Sequence, residues 1–338
     1  MRDHGDDHRL DRIPLGDGQL LISPLGIGTW AWGDRLWWGY GRGYTDVDLW
    51  EAFQIAVEAG INFFDTAEVY GFGRSERILG AFMRAMDAPI VVASKFFPFP
   101  WRLGRTSLLR ALRGSLRRLG VSWIDLYQIH WPFPPVPIET WMAALAEAVE
   151  AGLVRAVGVS NYNVEQMRRA HEALARYGIP LASNQVEYSL IRRDVERNGL
   201  LAACRELGVT LIAYSPLGMG LLTGKYTPDR PPAGLRGRRL GQRLAQVQPL
   251  VELLRDIGEA HGGKTPTQVA LNWVICKGAV PIPGVKNIRQ ARDNAETLTW
   301  RLTDGEIAAL DEASDRVMGR VPGGQNGDIY GRMVNVRS

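Results

Sequence analysis

Ile90-Val91-Val92-Ala93-Ser94-Lys95, then Arg105–Leu119, then Ile124-Asp125-Leu126-Tyr127-Gln128-Ile129-His130 read in turn as strand, helix and strand. The outer runs are short, apolar and β-rich. The middle run places apolar residues three and four apart, opens on Thr106-Ser107, and stops at Gly120, where a left-handed cap is needed. Strands joined through a helix lie parallel. Working outward, the unit recurs. Further β-rich runs fall near Leu25–Gly28, Asn62–Asp65, Ala156–Ser160, Ala182–Glu187, Thr210–Tyr214 and Ala279–Pro283. Helical periodicity fills Val47–Glu58, Ile138–Glu150, Val164–Tyr177, Gly199–Leu207 and Thr265–Lys277, the last with Pro266 in its first turn. Eight β runs, each followed by helical sequence, predict an α/β fold of one parallel sheet, closed as a (β/α)8 TIM barrel with its active site at the C-terminal ends of the strands. A doubly wound sheet would carry a G-x-G-x-x-G turn after its first strand. Only Gly39-Tyr40-Gly41-Arg42-Gly43 lies nearby, with the wrong spacing.

The 338 residues, 46% hydrophobic and 22% charged, have ordinary globular composition and suit one large barrel. No Ser/Pro/Gly-rich linker divides them, so the expectation is a flexible arm over residues 1–20, a single barrel domain over 21–320, and a C-terminal tail over 321–338. Cys204 and Cys276 stand alone, without metal-ligand spacing, and read as reduced thiols. No apolar run reaches the roughly 20 residues that span a bilayer, and the charged N-terminus lacks the apolar centre of a secretion signal. Cytoplasmic residence is therefore expected, with neither a membrane nor a metal involved. The net charge of +4 is mild. Much of it lies in Arg236–Arg243, a glycine-spaced cluster read as a mobile loop within a long irregular insertion, roughly Leu217–Leu244. That is a solvated surface rather than a nucleic-acid site.

At the strand ends stand Thr29, Asp65, Lys95, His130, Ser160-Asn161, Gln185, Glu187, Tyr214-Ser215 and Lys286. Taken singly, each has a structural explanation as a turn cap or a satisfied polar group. Convergence on one barrel mouth turns four of them into chemistry. A tyrosine hydroxyl titrates near 10 and is a weak donor unaided. An adjacent ammonium should lower that value, and a carboxylate should keep the ammonium charged and in place. Asp65, Lys95 and Tyr70 supply this set, and His130 can orient a carbonyl oxygen.

The stretch Gly60-Ile61-Asn62-Phe63-Phe64-Asp65-Thr66-Ala67-Glu68-Val69-Tyr70-Gly71 resembles the aldo-keto reductase signature, with its Gly-x-x-x-x-Asp-Thr-Ala-x-x-Tyr-Gly core. The resemblance continues through Ser94-Lys95, Asp125–His130, Gly158–Tyr162, Asn184–Ser189, Tyr214–Gly218 and Ile282–Asn287, covering about Leu25 to Asp315. It implies reduction of an aldehyde or ketone by hydride from NADPH. Tyr70 would be the general acid, Lys95 and Asp65 its tuners, and His130 the orienting donor. It also implies cofactor contacts. Thr29 and Trp30 would lie on the first barrel strand, Ser160, Asn161 and Gln185 on the carboxamide, and Tyr214 on the nicotinamide face. Ser215, Leu217, Gly218, Gly220, Gly224 and Lys225 would line the pyrophosphate. Gly284 would sit beside them, Lys286 on a 2′-phosphate, and Gln290 and Asn294 near the adenine. Gly218–Lys225 misses the G-x-x-x-x-G-K-[ST] spacing of an ATPase loop. In this frame the Arg236–Arg243 cluster could close over the pyrophosphate.

The loops after the strands are rich in aromatics, with Trp30, Trp32, Trp37, Trp38, Phe97, Phe99, Trp101, Trp131 and Phe133. Trp30, Phe97 and Trp131 lie nearest the strand ends and are the expected wall of a pocket for an apolar or planar carbonyl substrate. Some members similar to this chain are pyridoxal reductases. Others, the β-subunits of potassium channels, bind nucleotide as sensors. A barrel aldolase using Lys95 as a Schiff base is a third reading. Oligomeric state is not legible.

Overall fold

A computed structural model describes residues 11–320 except 17, 19 and 233, with 234–236, 238, 239, 242, 319 and 320 described as backbone only. The chain runs β1 (Ile13–Leu15), β2 (Leu20–Ile22), β3 (Ile27–Gly28), α1 (Asp46–Glu58), β4 (Phe63–Asp65), α2 (Arg74–Met86), β5 (Val91–Phe96), α3 (Arg105–Leu119), β6 (Ile124–Ile129), α4 (Ile138–Glu150), β7 (Val154–Ser160) and α5 (Val164–Ala175). It continues through β8 (Leu181–Glu187), α6 (Asp194–Arg197), α7 (Leu200–Glu206), β9 (Thr210–Tyr214), α8 (Gly234–Ala260), α9 (Pro266–Cys276), β10 (Val280–Pro281), α10 (Ile288–Glu296) and α11 (Asp304–Arg320).

Strands β3 to β10 form one eight-stranded sheet in sequence order, every pairing parallel. Its two edges meet: Gly26 N donates to Pro281 O and Gly28 N to Pro283 O, each at 3.0 Å, and Gly28 bridges Gly284 in parallel. The sheet is therefore the expected closed (β/α)8 barrel. Glycine is required at the seam, because a Cβ on Gly28 would sit 2.8 Å from the Ile282 carbonyl oxygen. The main apolar core lies between the barrel and its helices, through residues such as Phe53, Phe64, Leu112, Trp141, Val157 and Trp273.

The N-terminal arm differs from expectation. Residues 13–15 and 20–22 pair as an antiparallel hairpin, Ile13 opposite Ile22 and Leu15 opposite Leu20. Leu15 and Ile22 pack against Phe63, Ala93, Leu126, Ala182, Ile212 and Val280 and seal the N-terminal end of the barrel. Three-residue strands are too short to show a period in sequence. Residues 1–10 and the expected tail 321–338 lie outside the described residues.

The insertion after β9 is also more regular than expected. A 3₁₀ segment covers Gly218–Thr223, and the backbone from Gly234 is helical, so the Arg236–Arg243 run lies on α8 rather than in a loop. Its glycines suggested mobility. Leu240, Leu244, Val247, Val251 and Leu254, buried at helical spacing, override them. Among the described residues no helix is long and apolar enough to cross a membrane. Burial pushes the Cys204 thiol up to about 12, that of an inert core residue.

Candidate active site

Period-two alternation fixes which strand residues face the barrel axis. Asp65 ends β4, and Lys95 lies one position before the end of β5. His130 follows β6, and Tyr70 opens the short 3₁₀ turn after β4. All four are buried. Lys95 Nζ lies 2.5 Å from Asp65 Oδ1, 2.9 Å from Thr66 O and 3.4 Å from Tyr70 Oη. The tyrosine ring meets His130 edge-on, centroids 5.8 Å apart. Asp65 Oδ2 accepts from Gln185 Nε2 at 2.8 Å and Gln128 Nε2 at 3.3 Å. The carboxylate therefore has a partner on each oxygen, and its ammonium partner is directed at the phenol.

The charge states correct one expectation. The net shift of the Tyr70 pKa is upward, not downward. Burial, reinforced by the Asp65 carboxylate, holds the phenol well above its ordinary 10. Burial also pulls Lys95 below its ordinary value, against Asp65, and drives His130 well below 6.5, assisted by the Lys95 charge. The site at neutral pH presents a protonated phenol beside a neutral imidazole. Both can donate a hydrogen bond to one oxygen.

Tyr70 and His130 stand at one end of a cavity of about 1390 Å³. Asp65, Trp30 and Trp131 line the same end. Ser160, Asn161, Gln185, Tyr214, Ser215, Leu217, Gly220, Gly224 and Lys225 continue it, Gly284 lies at the seam beside Gly28, and Lys286, Gln290 and Asn294 line the end at α10. Asn161 Nδ2 donates to His130 O and to Ser160 Oγ, both at 3.0 Å, and Tyr214 Oη donates to Asn161 Oδ1 at 3.0 Å. Asn161, Ser215 and Met219 hold φ of 63°, 50° and 56°, left-handed values that side chains other than glycine rarely adopt. Their clustering on the cavity wall marks a shape maintained against local preference.

Two expected cofactor contacts are not on that wall. The Thr29 hydroxyl, fully buried, is braced between Asp65 O at 2.9 Å and Ser75 Oγ at 2.7 Å. Gly28 and Trp30 line the cavity, so the alternation turns Thr29 the other way. Gly218 sits in a turn backed by Ile191, where a Cβ would lie 2.4 Å from Cδ1. Phe97 does not line the cavity, but its ring packs edge-on against His130 at 5.5 Å.

The far end fits a nucleotide. Asn294 is 2% exposed, lines the cavity, and its Nδ2 has no hydrogen-bond partner among the described residues, a buried donor that a ligand acceptor would satisfy. Asn287 caps the N-terminus of α10, and Gln290 folds back onto Lys286 N at 2.9 Å. The Lys286 ammonium lies over the rings of Trp38 and Tyr44 at 4.5 and 4.9 Å. Sequence reasoning missed Gln128, although it lies two positions before His130 and so on the same face. It also missed Arg289 and Arg292 on the nucleotide-side wall.

A model of the aldo/keto reductase family matches residues 24–315. The chain is 44% identical over 310 residues to the chloroplastic pyridoxal reductase of Arabidopsis thaliana, covering 88% of this chain and 84% of the relative. A glycerol dehydrogenase of Gluconobacter oxydans superposes with a TM-score of 0.80 at 28% identity, covering 93% and 98% of the two chains. An aldo-keto reductase of Klebsiella pneumoniae solved with NADPH superposes with a TM-score of 0.72 at 28% identity, covering 88% and 93%. With the family model matched over residues 24–315 and a relative 44% identical over 310 residues, the chain belongs to the aldo/keto reductase family.

Proposed function

We propose that this protein reduces aldehydes or ketones to alcohols with NADPH, using Tyr70 as the acid. One observation carries the reading: a buried, protonated phenol shares its hydroxyl with a lysine ammonium, beside a neutral histidine, at one end of a cavity whose other end fits a nucleotide. Ser160, Asn161, Gln185 and Tyr214 would hold the nicotinamide, Gly220, Gly224 and Lys225 the pyrophosphate, and Lys286, Gln290 and Asn294 the adenosine with its 2′-phosphate. The bound nicotinamide supplies the hydride. Tyr70 Oη holds the proton that the carbonyl oxygen takes up, and His130 orients that oxygen with a second hydrogen bond. As the proton leaves, negative charge grows on the phenol oxygen 3.4 Å from Lys95 Nζ, and Asp65 keeps the ammonium in place.

Pyridoxal is a planar aromatic aldehyde, and both the relative at 44% identity and the aromatic mouth favour it as the first substrate to assay. Cys204 and Cys276, both free, favour a reducing compartment such as the cytoplasm. A Schiff-base role for Lys95 is disfavoured, because its ammonium is spent on Asp65, Thr66 and Tyr70 behind the cavity wall. A nucleotide sensor without turnover would have no use for the acid. The test is NADPH oxidation against aldehydes, ketones and pyridoxal, with nucleotide affinity read separately by fluorescence. Tyr70→Phe should lose about 10²–10⁴-fold in kcat while still binding NADPH. Full carbonyl reduction by Tyr70→Phe would overturn the mechanism.

A further inference from the structure

Between Asp65 and Tyr70 stands a charged residue that the proposed chemistry does not use. Glu68 is mostly buried and paired with Arg102, its side chain 8% exposed against 21% for the arginine. The pairing is two-pronged: Arg102 Nη1 donates to Glu68 Oε1, and Nη2 donates to Oε2 at 3.1 Å. Such forks are stronger and more directional than single contacts. Both groups also grip the backbone of Phe97. Phe97 N donates to Glu68 Oε1 at 2.8 Å, and Arg102 Nη1 donates to Phe97 O at 2.9 Å. The guanidinium lies over the rings of Phe96 and Phe99, at 4.9 and 5.2 Å. The loop from Phe97 to Arg102 is thereby closed on itself and fastened to the turn that carries Tyr70.

That loop carries rings. Phe97 packs on Phe99 at 4.5 Å and faces Phe133 at 6.0 Å, and Phe133 stacks on Trp131 at 5.3 Å. Phe97 also meets His130 edge-on. The rings form an arc beside the proposed carbonyl donor, and the Glu68–Arg102 fork ties that arc to the turn bearing the proposed acid.

We propose that Glu68 and Arg102 are positioning residues that set substrate preference, fixing Phe97 against His130 so that planar aromatic carbonyls bind better than small aliphatic ones. The proposal rests on Tyr70 and His130 as the carbonyl-facing pair. The experiment compares benzaldehyde with propanal in wild type, Arg102→Met and Arg102→Lys. In Arg102→Met, KM for benzaldehyde should rise about tenfold, while KM for propanal and both kcat values move less than about twofold. Arg102→Lys restores a charge but cannot make both contacts, and should recover part of the loss. NADPH affinity should be the same in all three proteins. Equal changes for both aldehydes, or none, would overturn the proposal. Benzoate binding by ligand-observed NMR reads the same pocket without turnover. If wild type reduces neither these aldehydes nor any ketone or pyridoxal, the functional reading fails; the positioning claim then stands if Arg102→Met weakens benzoate binding and falls if it does not.

Discussion

Two ionic clusters of this barrel, one partly exposed and one buried, use the same kinds of residue to opposite ends. Away from the cavity, Arg193 donates to both oxygens of Glu196 at 3.0 and 2.7 Å, to Asp311 O at 2.9 Å and to Asp315 at 3.2 Å. Lys277 reaches Asp311 at 2.9 Å, and Tyr188 donates to Glu196 at 2.6 Å. The cluster ties α6, the end of α9 and α11 together. At the mouth, Asp65, Lys95, Tyr70 and His130 are more deeply buried and hold fewer opposite charges. The consequence shows in protonation. Burial opposes the charged form of Glu196 and Arg193, yet their partners win: the carboxyl falls below its ordinary 4.5 and the guanidinium rises. At the mouth burial wins for Tyr70, Lys95 and His130, each pushed toward its neutral form. A cluster saturated with partners becomes a bolt. One starved of them is left ready to exchange a proton.

Substitutions should separate the two roles. The largest effect is expected at the mouth, where Lys95→Met should lower kcat by on the order of 10³ with NADPH affinity retained. A loss under tenfold would break the contrast. Glu196→Ala removes the two-pronged partner of Arg193 and the acceptor of Tyr188 and should cost roughly 2 kcal/mol in urea unfolding, with kcat/KM for the folded enzyme unchanged. A matching loss of kcat would show that the bolt also tunes the site. Gly158→Ala tests how tightly the mouth is built, because its Cβ would lie 2.3 Å from Ser183 Oγ and 3.1 Å from Gln128 Cγ. Displacing Gln128 from Asp65 should lower kcat roughly tenfold.

The smallest expected effect is of pH. With the Tyr70 pKa raised and the His130 pKa lowered, kcat should be flat upward from about pH 6.5 and fall at high pH only as the Lys95 ammonium, its pKa lowered from 10.5, loses its proton. A tenfold change between pH 7 and 9 would contradict the protonation states. Glu196, whose folded pKa is depressed, contributes stability that is complete above its ordinary 4.5 and lost as pH falls through the folded value. Acid should therefore loosen the bolt, seen as a falling Tm below about pH 4.5 that Glu196→Gln flattens.

The barrel and the four reactive residues were legible because strand periodicity and a five-residue step from Asp65 to Tyr70 are local features. Gln128 was equally legible by that periodicity. The β1–β2 hairpin was not, since three residues make no period, and the start of α8 was hidden by glycines whose cost is offset by the buried stripe from Leu240 to Leu254. That the Thr29 side chain lies off the cavity wall was not legible, because position at a strand end does not say which face a side chain takes. The Glu68–Arg102 fork joins residues 34 apart in sequence, and nothing local announces it. The direction of the Tyr70 shift needed burial, a tertiary quantity, to outweigh a charge that sequence could foresee.

The sealed lower end of the barrel has a consequence for traffic. With Leu15 and Ile22 packed into the floor, the doorway to Tyr70 among the described residues is the cavity at the C-terminal ends of the strands. Under the proposed function, nucleotide and carbonyl share that doorway. A nucleotide held by residues from Asn294 to Tyr214 would leave a narrower port beside Trp30 and Trp131, so that product would have to clear it before the next carbonyl enters. Occupancy of the port by product should then limit the enzyme before the proton transfer does.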